Sequence, residues 1–219
     1  EIGNVLDLEA VGTLCKKYGA YFHSDAVQGV GHFHLDFSAL PIDFLSASAH
    51  KFHGPKGIGF LYVSKALRLQ SMIKGGGQER GLRAGTEAVH NIVGMATALE
   101  LAYQNYDSEY QHILEIKKYF LDQIHAVFPE AICNGLSGDL ARSTYTLVNI
   151  SLPIDQEKAT ILDFYLDLNG IACSKGSACQ SGSSLGSHVI NALQRKDQYS
   201  DWPTLRFSFS CFNSKSEID

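Results

Sequence analysis

The sequence SAHKFHGPKG at residues 48–57 joins two apolar segments, and this predicted strand–turn–strand decides the fold of the first half of the chain. The segments at 42–47 and 58–63 have the length and composition of buried strands. Gly54-Pro55 between them marks a turn. Lys51 therefore lies where a predicted strand ends, beside apolar walls that disfavour a charged amine. A lysine amine in such a place can act as a nucleophile.

Two further polar residues, Asp25 and Gln28, follow a short predicted strand at 20–23. They lie at its carboxyl end, where open α/β sheets bind ligands. Each candidate has a structural alternative: Asp25 and Gln28 as cap or turn residues, and Lys51 as a solvated charge beside a Gly-Pro turn. Position alone leaves these alternatives open.

A polar loop with five glycines occupies residues 74–86. Such a loop can bring backbone amides close to an anion, but it matches neither the Walker pattern nor a dinucleotide fingerprint. Thr86 is predicted to cap a helix that runs to Tyr103. The helical spacing predicts its buried side to comprise Val89, Ile92, Val93, Ala96 and residues 99–101.

A polar junction near residue 106 predicts a boundary between two domains, 1–105 and 106–219. A helix over 6–18 opens the first, which is of the α/β class. The second begins with a long helix whose apolar register also includes Lys117. After it the pattern predicts strands at 145–151, 171–173 and 204–209 and helices at 155–168 and near 186–194, which is an α+β arrangement.

The overall composition narrows the class of protein. The chain has 219 residues and a formal net charge of −5, without a basic run, which argues against nucleic acid and a membrane surface as partners. No apolar run approaches the roughly 20 residues that a spanning helix needs. Five cysteines without paired spacing argue against a disulfide framework and favour a reducing, cytoplasmic location. The ends suggest a fragment: the chain begins at Glu1 and stops just after a predicted capping box at 214–217.

Two residues of the second domain are candidates for chemistry. Cys179 lies in the small, polar, glycine-rich stretch 174–184, which is predicted to be a mobile loop. A thiol there is exposed and can be a nucleophile, although a lone loop cysteine can also be incidental. Arg206 lies on a strand otherwise suited to burial, and its charge requires a carboxylate, from a substrate or from a structural Asp or Glu.

Taken together, these residues resemble the cysteine desulfurases, which are pyridoxal-phosphate enzymes of the class V aminotransferase group. Three blocks carry the resemblance in the order and spacing of that family: residues 23–51, residues 75–86, and Gly176-Ser177-Ala178-Cys179. The resemblance extends over essentially the whole chain. It implies the end of a fold-type I large domain at 1–105, with a mainly parallel sheet flanked by helices, and a small domain with the cysteine loop at 106–219.

The resemblance also implies roles for individual residues. Lys51 would bind the aldehyde of pyridoxal 5'-phosphate and move the substrate α-proton, Asp25 would pair with the pyridine nitrogen, and Gln28 would hydrogen-bond the phenolic oxygen. In the same family pattern the cofactor phosphate is bound by residues equivalent to Ser48 and His50, together with Thr86 from a partner subunit. Arg206 would bind the carboxylate of L-cysteine, and Cys179 would take the sulfur as a persulfide. A homodimer and a sulfur-acceptor protein, either an iron–sulfur scaffold or a tRNA-thiolation enzyme, are the implied partners.

The chain departs from the family pattern in what it lacks. The family's large domain begins before Glu1, and the usual Gly-Arg after the arginine strand is replaced by Ser210-Cys211. The chain alone is therefore expected to bind cofactor weakly and to be inactive. The alternatives are selenocysteine lyase or another class V enzyme, a non-catalytic interaction module, and a metal site of His50, His53 and Cys179, for which no complete ligand set exists.

Overall fold

The computed structural model describes residues 1–174, 187–193 and 202–219. The helices are α1 Leu8–Lys17, α2 Val89–Gln104, α3 Tyr106–Val127, α4 Gln156–Leu168 and α5 His188–Ala192. The strands are β1 His23–Asp25, β2 Phe44–Ser48, β3 Gly59–Val63, β4 Ile132–Cys133, β5 Leu147–Ser151 and β6 Thr204–Ser208. Short 3₁₀ turns occupy Ala49–Phe52, Glu79–Gly81 and Lys215–Glu217. The fold is of the mixed α/β class.

The first compact unit, Leu6–Asp107, is built on the sheet β1–β2–β3. β1 and β2 are parallel, with Asp25 opposite Ser46, and β2 and β3 are antiparallel. Side chains of β2 alternate as a half-buried strand requires, with Leu45 and Ala47 buried. The core of this unit consists of Phe22, Ala26, Val30, Ile42, Leu45, Ala47, Ala49 and Phe52.

The second unit comprises Glu1–Val5 and Ser108–Asp219 and holds the antiparallel sheet β4–β5–β6. The buried side of α3 contributes Ile113, Ile116, Phe120 and Leu121 to a core shared with β5 and β6. The first residues of the chain belong here because the Thr144 amide donates to the Gly3 carbonyl at 2.8 Å and the Leu136 amide to Asn4 Oδ1 at 2.7 Å. The predicted division had placed residues 1–5 with the first domain.

The helix after the glycine-rich loop differs from its prediction. It begins at Val89 after Ala88, and no side chain caps it, so Thr86 is not its cap. Its predicted buried side is also wrong in part, because Val89, Val93 and Leu101 are more than half exposed. The face that packs on the core consists of Met95, Ala98, Leu99 and Ala102, because this stripe meets the apolar residues around the sheet.

Two predicted strands also differ. The first lies at His23–Asp25 rather than 20–23, because the pairing with β2 begins at His23. Residues 171–173 form no strand; a single antiparallel bridge joins Ser174 to Arg206 instead. The predicted capping box is present, with Glu217 accepting a hydrogen bond from the Ser214 amide at 2.7 Å.

Within the three described ranges, no helix is both long and apolar enough to cross a membrane. The same residues contain no group of three or more His, Cys, Asp or Glu side chains placed to hold a metal ion. His50 and His53 belong to the described part of the chain, whereas Cys179 lies outside it.

Candidate active site

Lys51 lies in the 3₁₀ turn that follows β2. Its neighbours Ala49 and Phe52 are buried, whereas Lys51 itself is half-buried. The turn closes tightly: His53 adopts the left-handed conformation with φ of 65°, and the Gly54 amide donates to the Ala49 carbonyl at 2.8 Å. A Cβ at Gly54 would lie 2.9 Å from the Ala49 Cβ, so only glycine fits there. The predicted strand–turn–strand around Lys51 is confirmed.

Asp25 is the last residue of β1, the strand parallel to the one that leads to Lys51. Because parallel strands end at one edge of a sheet, the carboxylate and the Lys51 turn belong to the same edge. Asp25 Oδ1 accepts a hydrogen bond from the Val27 amide at 2.9 Å, and the side chain is exposed. The turn-residue alternative is thus met as well, and one carboxylate can serve both purposes because it has several lone pairs. Gln28 is exposed on the following turn.

Ser48 and His50 form a hydrogen-bonded pair at the end of β2, with the Ser48 hydroxyl 2.8 Å from His50 Nδ1. The hydroxyl and the imidazole orient one another on either side of the buried Ala49. With a neutral imidazole the pair offers an anion one donor, either His50 Nε2–H or the Ser48 hydroxyl, according to which residue donates in their mutual bond; an imidazolium lets both donate.

The glycine-rich loop is shaped by left-handed backbone conformations, which include the non-glycine residues Glu79 and Arg80 at φ of 48° and 57°. Gln78 Oε1 accepts from the Gly85 amide at 3.2 Å and links the middle of the loop to its C-terminal end. Thr86, the last residue of the loop, is exposed, and since it caps no helix its hydroxyl is available to a ligand.

In the second unit, Arg206 is anchored at its backbone but incompletely paired at its side chain. Its amide donates to the Ser174 carbonyl at 2.7 Å, and its Nη2 donates to Ser174 Oγ at 3.4 Å. Its Nε is buried and has no hydrogen-bond partner among the described residues. Within these residues no Asp or Glu lies within ion-pair distance of Arg206, so the structural-carboxylate alternative is not realised there.

The structure therefore brings Asp25, Gln28, Ser48, His50 and Lys51 to one sheet edge of the first unit. Thr86 lies in the same unit and Arg206 in the other. Sequence reasoning missed the side chains that support these residues, above all His32, whose ring contacts the Lys51 carbonyl. No local pattern reveals a contact between residues 19 positions apart.

The whole chain, residues 1–219, matches the family model of the class-V aminotransferases and belongs to that family. Within it, the chain is similar to cysteine desulfurases: it is 41% identical over 219 residues to cysteine desulfurase IscS of Clostridium botulinum and 40% identical over 221 residues to IscS of Methylobacillus flagellatus. All of this chain is covered in both comparisons, against 54% and 52% of those proteins. The chain thus spans about half the length of these relatives, and the resemblance inferred from its motifs is confirmed.

Solved structures give the same result for the fold. A NifS-like protein superimposes over the entire chain with a TM-score of 0.83 at 31% identity, covering 55% of that protein. A complex of SspA with cysteine covers 98% of this chain and 57% of that protein, with a TM-score of 0.71 at 29% identity. These likenesses support the fold-type I architecture.

The class-V family implies pyridoxal 5'-phosphate, and the chemistry of the residues at the sheet edge fits this group. A pyridine ring needs a carboxylate at its nitrogen, which Asp25 offers, and a phosphate needs donors, which Ser48 and His50 offer. An aldehyde needs an amine, and Lys51 is the lysine of this edge. The edge thus offers a suitable side chain for each of these three groups of the cofactor: the ring nitrogen, the phosphate and the aldehyde.

Proposed function

We propose that the protein to which this chain belongs is a pyridoxal-phosphate-dependent cysteine desulfurase, which converts L-cysteine to L-alanine and transfers the sulfur to an enzyme cysteine. The observation that carries the proposal is the common sheet edge of the half-buried Lys51 turn and the Asp25 strand end. The similarity to cysteine desulfurases over the full chain supports the same reaction.

Each residue of the edge has a task that its surroundings suit. Pyridoxal phosphate, when bound, supplies an electron sink for the bonds around the substrate α-carbon. Asp25 binds the ring nitrogen, Gln28 the ring oxygen, and the Ser48–His50 pair the phosphate. Lys51 binds the aldehyde and then moves the α-proton. Its amine suits this task because the short 3₁₀ turn fixes the backbone from which the side chain extends.

Arg206 is proposed to bind the substrate carboxylate. Its buried Nε lacks a hydrogen-bond partner within the described ranges, and a planar guanidinium pairs with carboxylates through two parallel hydrogen bonds. Cys179 is proposed to accept the sulfur as a persulfide and to pass it to an acceptor protein of iron–sulfur cluster assembly or tRNA thiolation. Its role rests on the sequence, because it lies outside the described residues.

A homodimer is part of the proposal, with Thr86 reaching the cofactor phosphate of the partner subunit. Its support is the apolar surface around the loop that carries Thr86. Met72 is 95% exposed, and Ile73, Leu82, Val89 and Val93 are between 45% and 62% exposed. Exposed apolar residues in such number are typical of interaction surfaces. The cytoplasmic location remains a proposal that rests on the cysteine pattern.

The test is release of alanine and sulfide from L-cysteine by the full-length protein. Lys51→Ala should lower the rate by at least about 10³-fold because it removes both the attachment point and the proton carrier. Lys56→Ala is the matched control, an exposed lysine beyond the Gly-Pro turn that should keep full activity. Cys179→Ser should abolish the persulfide and spare cofactor binding.

Three results would contradict parts of the proposal. Sulfur release that survives Cys179→Ser would remove the role of that residue. A preference for selenocysteine over cysteine, or cofactor binding without turnover of either, would favour selenocysteine lyase or the non-catalytic alternative.

A further inference from the structure

His32 contacts the turn that carries Lys51. Its Nε2 lies 2.9 Å from the main-chain carbonyl oxygen of Lys51. A carbonyl oxygen can only accept, so Nε2 must carry the proton and donate. The bond joins two segments 19 residues apart in the sequence and holds the backbone of Lys51 itself.

The segment with His32 is the turn that starts from Asp25. Here Gly31 has φ of +80°, and a Cβ on it would lie 2.6 Å from the Phe52 Cβ. The backbone of this turn is therefore in direct contact with the residue that follows Lys51. The His32 hydrogen bond adds a directional link to that apolar contact, so the segments of Asp25 and Lys51 are fixed to each other at two adjacent points.

The opposite side of the His32 turn is held by Tyr103, near the end of α2. The Tyr103 hydroxyl accepts from the Gly31 amide at 3.4 Å and donates to the Phe33 carbonyl at 3.2 Å. These bonds flank His32 on both sides in the sequence. The imidazole thus projects from a backbone that is itself fixed, which is what a positioning residue requires.

We propose that His32 is a positioning residue for Lys51: it donates from Nε2 to the Lys51 carbonyl and fixes the amine-bearing turn relative to the Asp25 turn. The inference rests on the proposed function, in which both residues bind one cofactor. Loss of the donor frees the turn to shift, and small displacements of a reacting group lower rates strongly. The expected effect is a decrease of about tenfold in kcat, with KM for cysteine nearly unchanged because His32 does not contact substrate.

The experiment uses His32→Phe, which keeps an aromatic ring without the donor, and His32→Gln, whose side-chain amide can place a donor near the same point. His34→Phe is the matched control, because His34 lies two residues after His32 and, among the described residues, makes only ring contacts with Tyr103 and Tyr106, stacked on the first and edge-on to the second. Besides kcat and KM, the readout is the rate at which added pyridoxal phosphate becomes fixed to Lys51 under borohydride, measured by peptide mass spectrometry. His32→Phe should slow fixation about tenfold, His32→Gln should restore most of it, and His34→Phe should match wild type.

Equal fixation rates in His32→Phe and wild type would overturn the inference, as would an equal loss in His32→Phe and His32→Gln at unchanged thermal stability. If His32→Phe fails to fold, the tautomer of His32 in the wild-type protein decides, read from ring ¹⁵N chemical shifts assigned with His32→Gln. Protonation at Nε2 supports the inference, and a neutral ring protonated at Nδ1 overturns it. Because fixation of cofactor needs no cysteine turnover, it tests His32 even if the wild-type protein releases no sulfur from cysteine.

Discussion

The two units of the chain treat polar side chains in opposite ways. In the first unit the site residues Asp25, Gln28 and His50 are exposed at a sheet edge, on turns held by close backbone contacts. In the second unit several polar side chains are buried and paired; Asn134, for example, is fully buried and donates to Asn149 Oδ1 at 2.7 Å and to Ser151 Oγ at 3.0 Å. Buried polar groups must be paired to be tolerated. A buried polar atom without a partner in the second unit therefore points to a ligand. An exposed polar side chain in the first unit shows only that a ligand can reach it.

Arg206 is the clearest exception to the pairing in the second unit, and its removal should have the largest effect. Arg206→Met should lower kcat/KM for cysteine by about 10²-fold or more, because a bidentate charged contact to the substrate is lost. Arg206→Lys should recover little of this, since an ammonium lacks the planar fork. Arg142→Met, at an exposed arginine that pairs with Asp139 at 2.6 Å, is the control.

Stability separates a ligand-binding arginine from a structural one. A guanidinium paired within the protein would leave its partner buried and unpaired when removed, so Arg206→Met would then destabilise the protein. If Arg206 binds a ligand, its removal should leave the melting temperature unchanged or raise it, because a buried Nε–H without a partner in the described part of the chain is itself costly. A clear loss of stability with unchanged KM would contradict the role of Arg206 in substrate binding.

The next largest expected effect is on the pH dependence of stability, and it comes from Lys117 in the buried interior of the second unit. Its side chain is fully buried, and its Nζ donates to Ser143 Oγ and to the Thr144 carbonyl, both at 2.7 Å. Burial lowers the pKa of Lys117 to about 8, against the opposing influence of Cys133 and Asp139. A neutral amine still has two protons, which matches the two acceptors.

The sign of the pH effect follows from this shift. Between pH 8 and pH 10.5 the unfolded chain keeps a proton on Lys117 that the folded chain has released, so the contribution of Lys117 to stability rises with pH across this window. Its size is on the order of 3 kcal/mol. In urea unfolding from pH 7.5 to pH 10, Lys117→Met should lose this rise relative to wild type. Lys118→Met, at the neighbouring exposed lysine, should run parallel to wild type, and a parallel curve for Lys117→Met would disprove the assignment.

Features that depend on residues close together in the chain could be predicted from the sequence. Gly54-Pro55 and the apolar runs on both sides of it are local, and they place Lys51 correctly. The helical register also places Lys117 on the buried side of α3, although it gives no account of the two oxygens that receive its protons. Periodicity shows that α2 has an apolar side but cannot show which apolar residues meet a partner. The contact of His32 with Lys51 depends on how separate segments pack, and no spacing within either segment contains it.

The smallest expected effect is on the melting temperature of a Thr86 variant. It tests the helix cap that the sequence predicts and the structure does not show. A threonine before an apolar helix is a usual cap, yet α2 begins only at Val89 and its cap residue Ala88 has no side-chain hydrogen bond. Thr86→Val should therefore leave the melting temperature of the cofactor-free protein within about 1 °C of wild type, since no capping bond is lost. Asp7→Ala is the matched control in the same unit, because Asp7 Oδ1 accepts from the Ala10 amide at 2.9 Å and caps α1. Its loss should lower the melting temperature by about 2–4 °C.

The proposed role of Thr86 predicts that its substitution changes the affinity for pyridoxal phosphate and not the stability of the cofactor-free protein. If its hydroxyl donates to the cofactor phosphate of a partner subunit, Thr86→Val should weaken pyridoxal phosphate binding by several-fold to about tenfold, the size of one hydrogen bond to a charged group. Equilibrium titration followed by cofactor absorbance measures it. A lowered melting temperature without cofactor, together with unchanged cofactor affinity, would return Thr86 to the capping role that the sequence suggests and would remove it from the site. An unchanged melting temperature together with weaker cofactor binding would support the proposal that the exposed Thr86 hydroxyl binds the same kind of ligand as the Lys51 edge.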